Sequence, residues 1–125
     1  MNKRVLMIED NEQNRYMASF LLERNGYEVV AAHDGASGIA LAEHCKPGLI
    51  LLDIQLPTMH GYDVAQALRK LKVLNKVPII AVTSYAMVGD REKALQAGCC
   101  GYIEKPINPE TFIADIEGYR PKEGE

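Results

Sequence analysis

The sequence predicts an α/β fold, in which a single doubly wound domain holds a five-stranded parallel β-sheet between layers of helices. Short apolar runs recur at intervals that suit a strand followed by a helix. Three of these runs are continuous rather than alternating, as expected for strands that are buried on both faces. The length of 125 residues matches the common size of one domain. The predicted strands occupy residues 5–8, 27–32, 49–52, 78–82 and, more weakly, 102–103.

The first helix is predicted directly after the first strand. Asn11 is a suitable N-cap, because its side chain can accept a hydrogen bond from a backbone N–H of the first turn. The helix is expected over residues 12–26, where a glycine provides the usual end. Its inward stripe is predicted to contain Met17, Phe20 and Leu21.

Three further helices follow from turn residues and helical spacing. The second is predicted over residues 36–45, after an Asp-Gly turn and before a proline. The third is predicted over residues 62–71, and Asp90 and Gly98 bracket the fourth. The apolar residues of the third helix expected to face the sheet are Val64, Leu68 and Leu71.

The fifth helix is predicted from its first three residues. Asn108 serves as the cap, Pro109 as the first helical residue and Glu110 as an acid that complements the helix dipole. Ile113 and Ile116 are expected to face the core. An alternation of this size, with right-handed connections, fits the flavodoxin-like sheet with strand order 2-1-3-4-5.

Composition excludes several classes of function. The formal net charge of -3 offers no basic face for nucleic acid, so direct nucleic-acid binding is not expected. A membrane span needs about 20 consecutive apolar residues, and the uninterrupted runs here are strand-sized, so membrane insertion is not expected. The three cysteines lack metal-ligand spacing and are interpreted as reduced thiols of a cytoplasmic protein. The histidines, likewise without ligand spacing, are His33, His44 and His60.

The carboxyl ends of the predicted strands carry polar residues that suit one chemical site. Ligands of doubly wound sheets bind at this edge. Carboxylates crowded there repel each other unless a cation joins them, and Mg²⁺ takes one or two carboxylates plus other oxygens. A carboxylate can also attack phosphorus, with an ammonium and a hydroxyl stabilising the phosphoryl group. The residues at the strand ends are Glu9, Asp10, Asp53, Thr83 and Lys105.

These segments together resemble the receiver domains of two-component response regulators. The resemblance covers nearly the whole chain, with the domain expected over residues 1–119 and a flexible C-terminal tail over residues 120–125. It predicts a single-domain response regulator that works as a phosphorylation switch and catalyses only its own aspartyl phosphorylation and dephosphorylation. The segments that carry it are VLMIEDN, LILLDIQLPTMHGYD, PIIAVTSYAM and GYIEKPI.

The resemblance implies a role for each site residue. Asp53 would be the phosphoryl acceptor, and Thr83 and Lys105 would be ligands of the phosphoryl group. The Mg²⁺ or Mn²⁺ ligands would be the carboxylates of Glu9, Asp10 and Asp53 and the backbone carbonyl of Gln55. The Lys105–Pro106 peptide bond is a candidate for the cis form, which proline makes accessible.

The resemblance also implies how the domain would switch. Movement of Thr83 would be followed by an inward turn of Tyr102, which changes a face made of the fourth helix, fifth strand and fifth helix, residues 90–119. The expected partners are a histidine kinase or phosphotransfer protein and a downstream protein, for which a kinase or a diguanylate cyclase are candidates. A monomer is the default. Gln55 and Tyr85 would tune the lifetime of the phosphoryl group, with a bulky Tyr85 slowing hydrolysis.

Three alternatives remain open at this point. An aspartate-nucleophile phosphatase needs a second acid two residues after the nucleophile, but Gln55 stands there and removes the general acid. A flavin or dinucleotide carrier is disfavoured because no GxGxxG motif follows the first strand. An adaptor that works without phosphorylation is disfavoured, though not excluded, by the intact set of acid, hydroxyl and lysine.

Overall fold

The predicted alternation of strands and helices is present in the computed structural model, which describes residues 2–56, 58–84 and 89–119. The strands are β1 (Arg4–Ile8), β2 (Glu28–Ala32), β3 (Leu49–Asp53), β4 (Ile79–Thr83) and β5 (Gly101–Glu104). The helices are α1 (Glu12–Arg24), α2 (Gly35–Cys45), α3 (Gly61–Arg69), α4 (Asp90–Gln96) and α5 (Phe112–Tyr119), with one 3₁₀ turn at Lys72–Leu74.

All five strands pair in parallel in the order β2-β1-β3-β4-β5, which confirms the predicted fold class and strand order. Successive residues of β1 belong to different cores: Leu6 and Ile8 pack in one cluster, and Val5 and Met7 pack in the other. Alternate side chains of a strand point to opposite faces, so the sheet is covered on both sides. This burial explains why β1, β3 and β4 are continuous apolar runs.

The prediction for the inward face of α1 is wrong at Phe20. Ala18 and Leu22 are the buried residues of this helix, whereas Phe20 is 50% exposed and Met17 and Leu21 are partly buried. The sequence offers two overlapping apolar stripes, and the sheet selects the one that contains the small Ala18, because it allows the helix to approach closely. The last helical residue is Arg24, and Gly26, with φ of 85°, follows the C-cap Asn25 as the terminating glycine that the sequence predicts.

The prediction for the start of α5 is also wrong by three residues. The side chain of Asn108 accepts a hydrogen bond from the N–H of Glu110 at 2.9 Å, as a cap would. The segment forms turns before the helix begins at Phe112, because the Asn108 carbonyl accepts from the N–H groups of both Thr111 and Phe112. Phe112, which the sequence analysis missed, is fully buried together with Ile116.

Two helix ends matter for the arguments below. Lys46 follows α2 as its C-cap in the left-handed conformation, with φ of 51°, although it carries a side chain. Lys70 is the C-cap of α3 in the ordinary right-handed conformation. Among the residues that the structure describes, the helices lack the length and apolar character that a membrane crossing requires.

Candidate functional site

Three carboxylates meet at the carboxyl edge of the sheet. Glu9 and Asp10 follow β1 directly, and Asp53 is the last residue of the adjacent strand β3. One oxygen of each carboxylate lies within 4.8 Å of the others. Glu9 and Asp53 are buried and Asp10 is exposed, so the group opens to solvent on one side. Clustered carboxylate oxygens are ligands that Mg²⁺ prefers, so these residues fit a hard divalent cation.

Lys105 directly follows the carboxyl end of β5 and contacts two of these carboxylates. Its Nζ is 2.6 Å from Oε1 of Glu9 and 3.2 Å from Oδ2 of Asp53, and its side chain is only 10% exposed. Its backbone N–H donates to the carbonyl of Thr83, which fixes the turn after β5 against β4. The peptide bond between Lys105 and Pro106 is cis.

The pKa values of this cluster follow from its burial and charge. Burial, together with the neighbouring Asp53 carboxylate, raises the pKa of Glu9 to about 7 despite the ammonium of Lys105. Burial also acts to raise the pKa of Asp53, but hydrogen bonds with Glu9 and with the N–H of Gln55, and the charge of Lys105, hold it below its usual range. Burial acts to lower the pKa of Lys105, but the two carboxylates outweigh it and raise that pKa.

The loop after β3 holds Asp53 in a tight turn. Oδ1 of Asp53 accepts a hydrogen bond from the N–H of Gln55 at 2.9 Å. The N–H of Gly61 donates to the Ile54 carbonyl, which brings the start of α3 directly onto the residues around Asp53. A β-carbon at Gly61 would lie 2.9 Å from the carbonyl oxygen of Asp53 and closer still to Cα of Ile54. Only glycine therefore fits this approach without displacement.

Thr83 ends β4, next to Asp53 in the sheet. The preceding residue, Val82, pairs with Asp53, and the buried Thr83 hydroxyl accepts a hydrogen bond from the side chain of Gln55 at 2.8 Å. Oε1 of Gln55 accepts a second hydrogen bond, from the N–H of Ser84 at 3.2 Å. The sequence analysis gave Gln55 a backbone carbonyl for the metal and an influence on the lifetime of the phosphoryl group, but it did not predict these side-chain contacts, because no spacing signal indicates contacts across 28 residues.

Arg15 is a second residue that the sequence analysis missed. Its guanidinium, on the first turn of α1, donates to the backbone carbonyls of Glu9 at 2.8 Å and Asp10 at 3.0 Å. Asn11 caps α1 as predicted, and its N–H donates to Oε2 of Glu9. The start of α1 therefore fixes the backbone of the acid pair.

Tyr102 and His60, two further positions named in the sequence analysis, are not members of the carboxylate cluster. Tyr102 is half-buried on β5 and packs against the core on the α4 side of the sheet. The hydroxyl of Tyr119 donates to the Tyr102 carbonyl at 3.3 Å. His60 is exposed and caps α3, because its Nδ1 accepts from the N–H of Tyr62. Tyr85 lies outside the described residues.

The comparison with protein families decides what this arrangement belongs to. The model of the response regulator receiver domain matches residues 5–117. The chain belongs to this family. The receiver domain is also similar, over most of its length, to curated and structurally characterised proteins.

Three individual proteins are similar to this receiver domain in sequence or in structure. It is 43% identical to the polar-differentiation response regulator DivK of Brucella abortus, over 95% of this chain and 97% of the relative, which is consistent with a DivK-like regulator. The chemotaxis protein CheY4 of Vibrio cholerae superposes with a TM-score of 0.90 at 28% identity, covering 95% and 99% of the two chains. The receiver domain of the Pseudomonas aeruginosa sensor histidine kinase PA1611, at 33% identity and a TM-score of 0.85, covers 95% and 98% and has a magnesium ion in its active-site cleft.

Proposed function

We propose that this receiver is a single-domain response regulator that accepts a phosphoryl group on Asp53 in a Mg²⁺-dependent reaction. The observation that carries the proposal is the placement of Asp53. Its carboxylate is 3% exposed, contacts the ammonium of Lys105 and lies beside the acid pair at the open edge of the sheet. The acceptor would therefore be ionised and flanked by groups that stabilise a phosphoryl dianion.

The reaction is an in-line transfer from a phosphohistidine of a kinase or phosphotransfer protein. An oxygen of the Asp53 carboxylate forms a bond to phosphorus, the P–N bond of the donor breaks, and the imidazole leaves with the electron pair of that bond. Lys105 neutralises charge on the transferred group, and the Thr83 hydroxyl donates a hydrogen bond to it. In this role the domain catalyses only its own phosphorylation and dephosphorylation.

A divalent cation suits the charge of the site. Three carboxyl groups share this edge with a single ammonium, so negative charge gathered there would repel an incoming phosphoryl group. A bound Mg²⁺ or Mn²⁺ supplies the neutralisation that brings carboxylates and phosphoryl oxygens together. Its ligands would be the carboxylates of Glu9, Asp10 and Asp53 and the backbone carbonyl of Gln55.

The output of the domain would be a change in its exposed face. A phosphoryl group adds about -1.5 to -2 charge and three acceptor oxygens, which draw the Thr83 hydroxyl toward Asp53. Tyr102 on β5 then turns inward, and the face formed by α4, β5 and α5 changes its affinity for a partner. We place this function in the cytoplasm and in a monomer, with the receiver spanning residues 1–119; the tail predicted at residues 120–125 lies outside the described residues.

The partners are proteins of a phosphorelay. The similarity to DivK supports a role in cell division, with a histidine kinase or phosphotransfer protein upstream and a kinase or diguanylate cyclase as candidate targets downstream. The net charge of -3 supports a protein partner rather than nucleic acid.

Intact mass after incubation with acetyl phosphate tests the proposal. Wild type should gain one phosphoryl group only when Mg²⁺ is present, and Asp53→Asn should gain none. Asp63→Asn is the matched control, because Asp63 is exposed on α3 and is not one of the clustered carboxylates, and it should behave as wild type. A metal-independent adduct, or an adduct on Asp53→Asn, would contradict the assignment. Absence of an adduct both here and with phosphorylated kinases would favour a phosphorylation-independent adaptor.

A further inference from the structure

The side chain of Gln55 connects the loop of the proposed phosphoryl acceptor to the end of β4. Its Nε2 donates to the hydroxyl of Thr83, and its Oε1 accepts from the N–H of Ser84. Its own backbone N–H donates to Oδ1 of Asp53. One residue therefore contacts the acceptor through its backbone and both residues at the end of β4 through its carboxamide.

We propose that Gln55 is a positioning residue that holds the end of β4 in its resting arrangement. In this arrangement the Thr83 hydroxyl accepts a hydrogen bond from the carboxamide, and movement of that hydroxyl toward a phosphoryl group on Asp53 must stretch or break this bond. The inference rests on the proposed function and deepens it, because it names the contact that opposes the movement of Thr83. The residues of this contact, Gln55, Thr83 and Ser84, are called the Gln55 latch below.

The geometry of the Gln55 latch couples the two residues at the end of β4. Thr83 is 3% exposed, so its bond to Nε2 is shielded from competing water and is costly to leave unmade. The second bond, from Ser84 to Oε1, orients the planar carboxamide so that Nε2 faces the hydroxyl. Movement of Thr83 toward Asp53 therefore pulls on both hydrogen bonds at once.

The Gln55 latch should weaken the binding of any ligand that requires the activated arrangement. Such a ligand binds more weakly when the protein must first leave a stable resting arrangement. The net contribution of one or two hydrogen bonds corresponds to an about three- to tenfold effect on such an equilibrium. Removing the carboxamide should raise the apparent affinity for a phosphoryl mimic by that factor.

Beryllofluoride, which mimics a phosphoryl group on a carboxylate, is the probe, titrated with saturating Mg²⁺ into ¹⁵N-labelled protein. Gln55→Met removes the carboxamide at nearly constant volume, and Gln55→Ala removes it without adding a thioether. Gln66→Met is the matched control, because Gln66 is exposed on α3. Two readouts are recorded: the beryllofluoride concentration at half-conversion, and the position of the Lys105 amide signal in the free protein, because this N–H donates to the carbonyl of Thr83 rather than to Gln55.

Both Gln55 variants should reach half-conversion at an about three- to tenfold lower beryllofluoride concentration than wild type. Their Lys105 amide signals in the free protein should be displaced toward the position that wild type adopts when saturated, which a general loss of packing would not produce. Gln66→Met should match wild type in both readouts.

Two outcomes would overturn the inference in different ways. Wild-type protein that binds no beryllofluoride would overturn the proposed function and the Gln55 latch with it. Wild-type binding together with equal or weaker binding by both Gln55 variants would overturn the latch alone, because Gln55 would then be neutral or a direct ligand of the phosphoryl mimic.

Discussion

Nζ of Lys105 lies 2.6 Å from Oε1 of Glu9, and both side chains are almost completely buried. The same ammonium reaches Asp53 at 3.2 Å, so a single cation balances two buried carboxylates that belong to different strand ends. A buried charge is tolerated only with partners. This relationship makes the stability of the domain sensitive to every member of the cluster.

Removal of the ammonium should destabilise the metal-free protein. We expect Lys105→Met to lower the free energy of unfolding by about 3 kcal/mol at pH 8 in the presence of a chelator, because two carboxylates lose their buried counter-charge. Chemical denaturation gives the measurement. Mg²⁺ should stabilise the variant more than wild type, since it replaces the missing positive charge. Lys76→Met, at an exposed position, should change stability by less than about 0.5 kcal/mol; equal stabilities of all three proteins would contradict the argument.

The raised pKa of Glu9 predicts a pH dependence for the metal-free protein. Its folded pKa of about 7 lies above the ordinary glutamate value of 4.5, so between these values the folded state holds a proton that the unfolded state has released. Stability from this group is therefore full below pH 4.5 and is lost as the pH rises through 7. The slope should reach at most about 1.4 kcal/mol per pH unit.

Denaturation curves across this pH range, with chelator present, measure the slope. Glu9→Gln cannot ionise and should flatten it. The pKa values of Asp53 and Lys105 are displaced below and above their usual ranges, so their titrations fall outside this window. A slope that is unchanged in Glu9→Gln would assign the effect to another group.

The close approach at Gly61 predicts a substitution that damages the site. Gly61→Ala should lower the free energy of unfolding by about 1–3 kcal/mol, because its methyl group would displace the turn that carries Asp53. It should also slow phosphorylation by acetyl phosphate, measured by intact mass over time. Gly118→Ala is the matched control: a β-carbon there meets nothing within 4 Å, and alanine should raise stability by up to about 1 kcal/mol. Destabilisation by both variants would show that the effect is not specific to the turn.

The left-handed C-cap of α2 predicts a stabilising substitution. Lys46 adopts φ of 51°, a conformation that costs a residue with a side chain roughly 1–2 kcal/mol. Lys46→Gly should relieve this strain, although glycine also makes the unfolded chain more flexible and offsets part of the gain. The free energy of unfolding should increase by up to about 1 kcal/mol. Lys70→Gly, at a right-handed C-cap, should instead lose about 0.5–1 kcal/mol. Thermal unfolding measures both effects: Lys46→Gly should have a higher Tm than wild type, and Lys70→Gly should have a lower one.

The fold could be predicted from the sequence, because strands that are buried on both faces of a sheet are recognisable as continuous apolar runs. Each continuous apolar run forms a strand in the structure. The residue after each run therefore lies at the carboxyl edge of the sheet, where the carboxylates meet. The buried face of α1 could not be predicted correctly from the sequence, because Phe20 and Leu22 both fit a helical stripe and only packing against the sheet distinguishes them. Side-chain bonds such as that of Gln55 to Thr83 depend on strand pairing and rotamer, which no local pattern encodes.

The groups of the carboxylate cluster are distributed from Glu9 to Lys105, and the last of them follows the edge strand β5. During synthesis, Glu9, Asp10 and Asp53 leave the ribosome well before Lys105, and β5 can pair with β4 only after that. A nascent chain of about 100 residues would therefore present the three acids without their ammonium partner. Completion of the cluster thus coincides with completion of the sheet, and a translation product truncated before β5 would lack the cation that accompanies Asp53.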